Sequence, residues 1–151
     1  MRIDEPQFLG ARLAGETRLI DSSGANFALG EMFGKPLILV LSYYGCDGTC
    51  PTMNMELARA LAKVERFRLG SDYRVLTVSF DARDSSATAA DFLRKTGAVG
   101  SAGDGSEMQP GWRHAVLADK DVKTFAASVG FNFFWSDAAK AFLHPNVLVF
   151  L

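Results

Sequence analysis

The chain has 151 residues, 48% of them apolar, with 16 basic side chains against 17 acidic ones. That length suffices for one domain over residues 1–151 whose core needs no staples. A net charge near zero without clustered Lys or Arg excludes a nucleic-acid surface. The longest apolar run, Pro36–Leu41, is too short to cross a bilayer. The opening MRIDEPQFLG lacks the basic-then-apolar pattern of a secretory signal, so any export signal or anchor is expected to be trimmed away or absent.

In chain order, TRLIDSSGANFALGEMFGK places two short apolar stretches around Ser22-Ser23-Gly24, which predicts a hairpin. PLILVLSYY is a continuous apolar run, the pattern of a strand buried on both faces. After YYGCDGTCP, the segment TMNMELARALAKVERFRLG repeats Met53, Leu57, Leu61 and Val64 at helical spacing, with Gly70 as its predicted stop. YRVLTVSFD predicts a strand, ARDSS a turn, and SATAADFLRKTG a helix ended by Gly97. The Gly- and Ser-rich VGSAGDGSEMQPG reads as a loop, and RHAVLA as a strand. DKDVKTFAASVG predicts a helix capped by Asp119 and ended by Gly130. FNFFW is aromatic and extended, SDAAKAF reads as a polar linker, and LHPNVLVFL ends the chain on a strand of interior character. Strands alternating with helices of this length predict an α/β sandwich around a largely parallel sheet.

The only two cysteines, Cys46 and Cys50, stand four positions apart with Pro51 directly behind. A metal clamp, a redox couple, a structural disulfide and coincidence would each explain the pair. Cys46 falls where a buried strand ends and Cys50 where a helix begins, and Pro51 suits a first helical turn because its missing N–H has no partner to lose there. The free N–H groups and the helix dipole are expected to lower a thiol pKa at that point. In open α/β sheets, sites lie beyond the C-terminal strand ends. The loop Asp-Gly-Thr is poorly suited to a core, which favours reactive thiols over packed ones. The spacing exceeds the C-x-x-C of redox pairs, and two thiolates are too few for structural zinc. They suit Cu(I), a soft ion content with two or three ligands. Of the two histidines, His114 lies within a predicted strand and reads as a packed or surface residue. His144 stands at a strand entrance before Pro145, where it would complete a three-ligand set through Nδ1 or Nε2.

YYxCxxxCP, VLTVSFDxRD, GW, AxxVGFxF and FxHPN follow one another in this order between Leu37 and Val149. In these motifs the chain resembles the Sco/SenC/PrrC proteins, copper proteins of thioredoxin fold tied to assembly of the Cu(A) centre of cytochrome c oxidase. The resemblance implies a thioredoxin-like three-layer sandwich with a central mixed sheet and an N-terminal β-hairpin. It implies that Cys46, Cys50 and His144 bind one copper, with Asp81 close to the metal without ligating it and Asp84 forming the turn. It implies an acceptor such as cytochrome c oxidase subunit II or another copper chaperone. It further implies a membrane-anchored full-length form on the periplasmic side of the inner membrane. Relatives continue past the HPN strand into a hairpin partner strand and a final helix, which this sequence lacks.

Met53, on the apolar stripe, is expected to pack, as are Trp112, Phe131, Phe133, Phe134 and Trp135, while Tyr43 and Tyr44 shield the site. The leading expectation is a copper-transfer protein without catalytic turnover. The alternative is a thiol–disulfide oxidoreductase that reduces a copper acceptor's cysteines, Cys46 attacking and Cys50 resolving. A peroxidase of the peroxiredoxin type ranks low, because Tyr43 and Asp47 stand where Thr or Ser would precede the reactive cysteine.

Overall fold

The computed structural model describes residues 12–46, 49–96 and 111–151. The predicted hairpin forms from β1 (Arg18–Asp21) and β2 (Asn26–Ala28). Asp21 closes it, its Oδ1 accepting from the Ser23 N–H at 2.9 Å, the Ser23 hydroxyl at 2.6 Å and the Ala25 N–H at 3.0 Å. Gly24 supplies the positive φ of that turn, +86°.

The apolar run becomes β3 (Leu37–Ser42), buried at all six positions. It pairs in parallel with β4 (Arg74–Ser79), which pairs in parallel with β5 (Trp112–Leu117). β1 joins β5 antiparallel, and β8 (Leu148–Phe150) joins β3 antiparallel, giving the order β2-β1-β5-β4-β3-β8. The sheet is therefore mixed, with a parallel centre and antiparallel margins. β8 lies at its edge, with Phe150 exposed, and not in its interior as the apolar sequence suggests.

Alternation along the strands sends side chains to two faces. Leu37, Leu39, Leu41, Leu76, Val78 and Phe80 pack with the helix α3 (Val122–Ser128) through Val122, Phe125 and Ala126. On the opposite face, Ile38, Val40 and Val75 pack with Leu57 of α1 (Thr49–Ala62). Val116 and Tyr44 pack there with Ala89 and Phe92 of α2 (Ser86–Thr96). Helices on both faces make the expected three layers.

Several boundaries differ from the sequence reading. α1 ends at Ala62, well before Gly70. Lys63 and Val64 donate to the carbonyls three residues back, which tightens and stops the last turn. Gly70 instead turns the chain at φ +85°, where Gly111 passes so close that a Cβ on Gly111 would meet the Gly70 Cα at 2.3 Å. α3 is capped by Asp121, whose Oδ1 accepts from the Thr124 N–H at 3.2 Å, whereas Asp119 accepts from the Asp121 N–H at 3.0 Å. The polar linker SDAAKAF is the turn and return strand of a second hairpin, β6 (Phe134–Ser136) with β7 (Ala141–Leu143). The cross-strand pair Trp135–Phe142, with ring centroids 5.2 Å apart, outweighs the polar composition. Phe134 and Trp135 are exposed and do not join the core. The predicted stop at Gly97, and the Gly/Ser loop as far as Pro110, lie outside the described residues. No helix among the described residues is long and apolar enough to cross a membrane.

Candidate metal centre

β3 ends at Ser42, and the chain turns through Tyr43–Cys46 into α1, whose second residue is Cys50. Pro51 sits in the first turn, where a missing N–H costs nothing. This places both cysteines beyond the C-terminal ends of the parallel strands. His144 arrives from the other side, between β7 and β8, and its Nε2 lies 3.5 Å from Cys50 Sγ. Its Nδ1 lies 3.0 Å from the Pro145 carbonyl oxygen. A carbonyl only accepts, so the neutral ring carries its proton on Nδ1 and turns the Nε2 lone pair toward the sulfur. The rings of Phe80, Tyr43 and Phe131, at 5.0, 6.0 and 6.0 Å, fix the imidazole in place.

Both cysteines are in the thiol form, Cys46 half-buried and Cys50 buried. The Cys46 side chain hydrogen-bonds both the Cys50 sulfur and the Tyr43 hydroxyl. Thus Cys50 meets His144 and Cys46 meets Cys50. Among the described residues, however, no three His, Cys, Asp or Glu side chains close into a cluster able to hold a metal. The joined pair fits one ion. Ligand bonds of about 2.3 Å to sulfur and about 2.0 Å to nitrogen, the lengths seen at zinc, separate the two donors by about 3.5 Å at a tetrahedral angle.

The helix N-terminus does not lower the Cys50 pKa as expected. Burial pushes the thiol up to about 12, and the charge on Cys46 adds to the rise. The Tyr43 backbone and the Ser42 hydroxyl pull the other way. Desolvation of a fully buried sulfur outweighs the dipole. An incoming metal must therefore displace a proton from Cys50. Tyr43 is raised for the same reason, burial first and its bond to Cys46 second.

Tyr43 and Tyr44 do not shield the site together, because adjacent residues of an extended chain point to opposite faces. Tyr43 faces the site, against Phe142 and His144. Tyr44 faces away, its hydroxyl donating to the Ala115 carbonyl at 2.8 Å. Asp81 gives both its oxygens to Arg83, at 2.8 to 3.2 Å. It connects to the site through that guanidinium, which lies 5.8 Å over the Phe142 ring. Asp84 makes the predicted turn, its N–H donating to the Asp81 carbonyl, but it is also buried. Its Oδ2 accepts from the Tyr44 N–H at 2.8 Å and from the Ser79 hydroxyl at 2.5 Å, tying the ends of β3 and β4 together. Met53 packs on the apolar face of the sheet as expected. Sequence reasoning misses Asn54, Thr77 and Ser42, which form a fully buried polar cluster directly behind Cys50. The only available signal is that Asn54 follows Cys50 by four positions, one helical turn.

A family model described as SCO1/SenC matches residues 6–125, a span that holds Cys46, Cys50 and Asp81 and stops before His144. A comparison with curated proteins returned no match. Among solved structures, a candidate electron transfer protein from Aquifex aeolicus VF5 is 29% identical, with a TM-score of 0.79 over 94% of this chain and 77% of its own. ScoI of Arabidopsis thaliana, solved with copper bound, gives a TM-score of 0.69 at 19% identity, covering 93% of this chain and 81% of its own. Yeast Sco1, also with copper bound, gives 0.60 at 19% identity, over 91% and 71%. The last two similarities speak to the fold, whereas the family match extends over most of the sequence. The chain belongs to the SCO1/SenC family.

Proposed function

We propose that the protein binds one copper ion through Cys46, Cys50 and His144 and passes it on during assembly of the Cu(A) centre of cytochrome c oxidase. The observation that carries this reading is the 3.5 Å contact between Cys50 Sγ and His144 Nε2, residues 94 positions apart. Two soft sulfurs and one imidazole suit copper in both oxidation states. Buried Cys50 and the ring-locked His144 form the fixed side of the site, and half-buried Cys46 is the ligand an acceptor reaches first. Release then proceeds by ligand exchange at Cys46. Asp81 acts one step removed, holding Arg83 against Phe142, which packs on Tyr43. The acceptor in this reading is subunit II of the oxidase or another copper chaperone, and the site of action is the periplasmic face of the inner membrane.

A second reading, disulfide reduction at the acceptor, is favoured by one observation: Cys46 is the more exposed of the two thiols. Its thiolate would attack the acceptor disulfide, and Cys50 would then displace the acceptor sulfur. The protein's dithiol is oxidised to a disulfide as the acceptor's disulfide becomes two thiols.

Titration of the reduced protein with Cu(II) should produce an intense visible thiolate-to-copper band that saturates at one equivalent. The same protein oxidised to its Cys46–Cys50 disulfide should give none. A reduced protein that stays colourless would refute copper ligation by the cysteines.

A further inference from the structure

At the pole of the sheet opposite the cysteines, a cleft of about 450 Å³ opens between the starts of β4 and β5 and the 3₁₀ turn Leu29–Met32. Two guanidiniums line it, those of Arg74, the first residue of β4, and Arg113, the second of β5. Arg113 pairs in register with Leu76, so Arg74, two residues before Leu76, shares its face of the sheet. Strand spacing and rise put the two backbones about 8 Å apart. Both side chains are half-buried, and neither forms an ion pair with a carboxylate of the described residues. Glu31 is the one acid among the lining residues, and its Oε1 accepts from the Ala28 N–H at 2.9 Å. Lys35 adds a third cation beside the cleft, its Nζ donating to the carbonyl of the lining residue Gly70 at 2.9 Å. Positive charge thus gathers here in a chain whose net charge is −1.

The guanidiniums are held with donors to spare. Arg74 Nη1 donates to the Glu31 carbonyl at 3.0 Å and to the Phe33 carbonyl at 2.9 Å, which uses both of its hydrogens. Its Nε–Nη2 edge, whose parallel N–H bonds grip two oxygens at once, donates to nothing among the described residues. Arg113 lies over the Phe27 ring, 4.4 Å from its centroid, and stacking leaves the N–H edges of the guanidinium to donate. Gly70 and Gly111 cross in the cleft wall too closely for any Cβ, so that stretch is bare backbone. Met32 and Leu69 supply apolar surface beside it.

We infer that this cleft is a binding site for a small phosphate ester, its phosphate held between Arg74 and Arg113. A carboxylate has two oxygens and is satisfied by one fork, whereas a phosphate offers oxygens to both arginines. The volume lies within the range of small-molecule sites, about 300–1,000 Å³, so an organic portion fills the apolar side. The ester belongs to a soluble molecule or to the headgroup of an anionic lipid. About 17 Å of β4 separates the cleft from the metal centre, and the inference does not rest on the copper reading.

Calorimetry of the metal-free full chain with glycerol 3-phosphate tests the soluble source. Sedimentation with vesicles of phosphatidylglycerol, against vesicles of phosphatidylcholine, tests the lipid source. Saturable binding to one of these probes is expected, weakened roughly tenfold or more in Arg113→Met, which keeps an unbranched stem over Phe27 and removes the charge. Arg74→Lys, which keeps the charge and loses the fork, should weaken it too, and carries the comparison should Arg113→Met not fold. Arg59→Met, exposed on α1, should bind as the parent does. Binding of glycerol 3-phosphate assigns a soluble ligand, and binding of phosphatidylglycerol vesicles alone assigns a lipid headgroup. No saturable binding of either probe overturns the inference, as does parent-like affinity in a folded Arg113→Met. Nuclear magnetic resonance of the parent decides without any variant. Glycerol 3-phosphate, or a short-chain phosphatidylglycerol where only the lipid binds, should shift the side-chain Nε–H resonances of Arg74 and Arg113 and spare that of Arg59. Binding that leaves both resonances unmoved overturns the site.

Discussion

Replacing His144 with alanine lowers the Cu(II) affinity of the reduced protein by more than about a hundredfold. Outer partners of a metal ligand are themselves worth about 10–100-fold, so loss of the ligand should cost at least as much. The magnitude follows from how completely the imidazole is held. Its Nδ1 is tied to the Pro145 carbonyl at 3.0 Å, and aromatic rings surround it, so Nε2 reaches the metal with little ordering left to do. Competition against a chelator of known affinity measures the effect. The first attack of Cys46 on a small disulfide should keep the parent rate, because the ring faces the Cys50 sulfur. Equal copper affinity in the parent and in His144→Ala would reject the three-ligand site and leave the thiol pair as the chemistry to explain.

The second large effect concerns the other histidine. His114 is fully buried and stacked on Trp112 at 5.6 Å, with the rings of Phe92 and Tyr44 also close. Burial lowers its pKa from the ordinary 6.5 to about 3. The unfolded chain therefore binds a proton below pH 6.5 that the folded chain refuses until about pH 3. Its stabilising contribution is complete above pH 6.5 and declines by about 1.4 kcal/mol per pH unit as the pH falls through that window. Denaturant unfolding at pH 6 and pH 4 should show the parent losing roughly 3 kcal/mol more than His114→Leu over that interval. The carboxylates titrate alike in both proteins and cancel in the comparison. Identical acid slopes would mean that His114 takes up its proton in the folded state.

These two histidines show what the residues alone disclose. His144 is singled out in the sequence by its place at a strand entrance before Pro145 and by the order of motifs that resembles a family, and the fold brings it to Cys50. The sequence leaves His114 as either packed or exposed, since one strand position does not say which neighbours cover it. The buried strands β3 and β4 are legible from unbroken apolar runs, and both cysteines from Pro51 and the helix behind it. What stays hidden depends on partners remote in the chain. Asn54, Thr77 and Ser42 look like ordinary polar residues until a helix and two strands bring them together. Asp84 looks like a turn former until its carboxylate is found under the Tyr44 backbone. The Cys50 pKa reverses its expected direction because a local rule, the helix terminus, competes with burial, which only the assembled fold supplies. Turn boundaries fail for a simpler reason. Asp119 and Asp121 are both competent caps, and side-chain geometry alone selects between them.

In the proposed centre, a thiol from the loop after β3, a thiol from the first turn of α1 and the His144 imidazole share a single ion. X-ray absorption at the copper edge of the singly loaded protein should find two sulfur scatterers and one imidazole nitrogen around the metal. A shell of nitrogen and oxygen without sulfur, or of sulfur without imidazole, would contradict that arrangement.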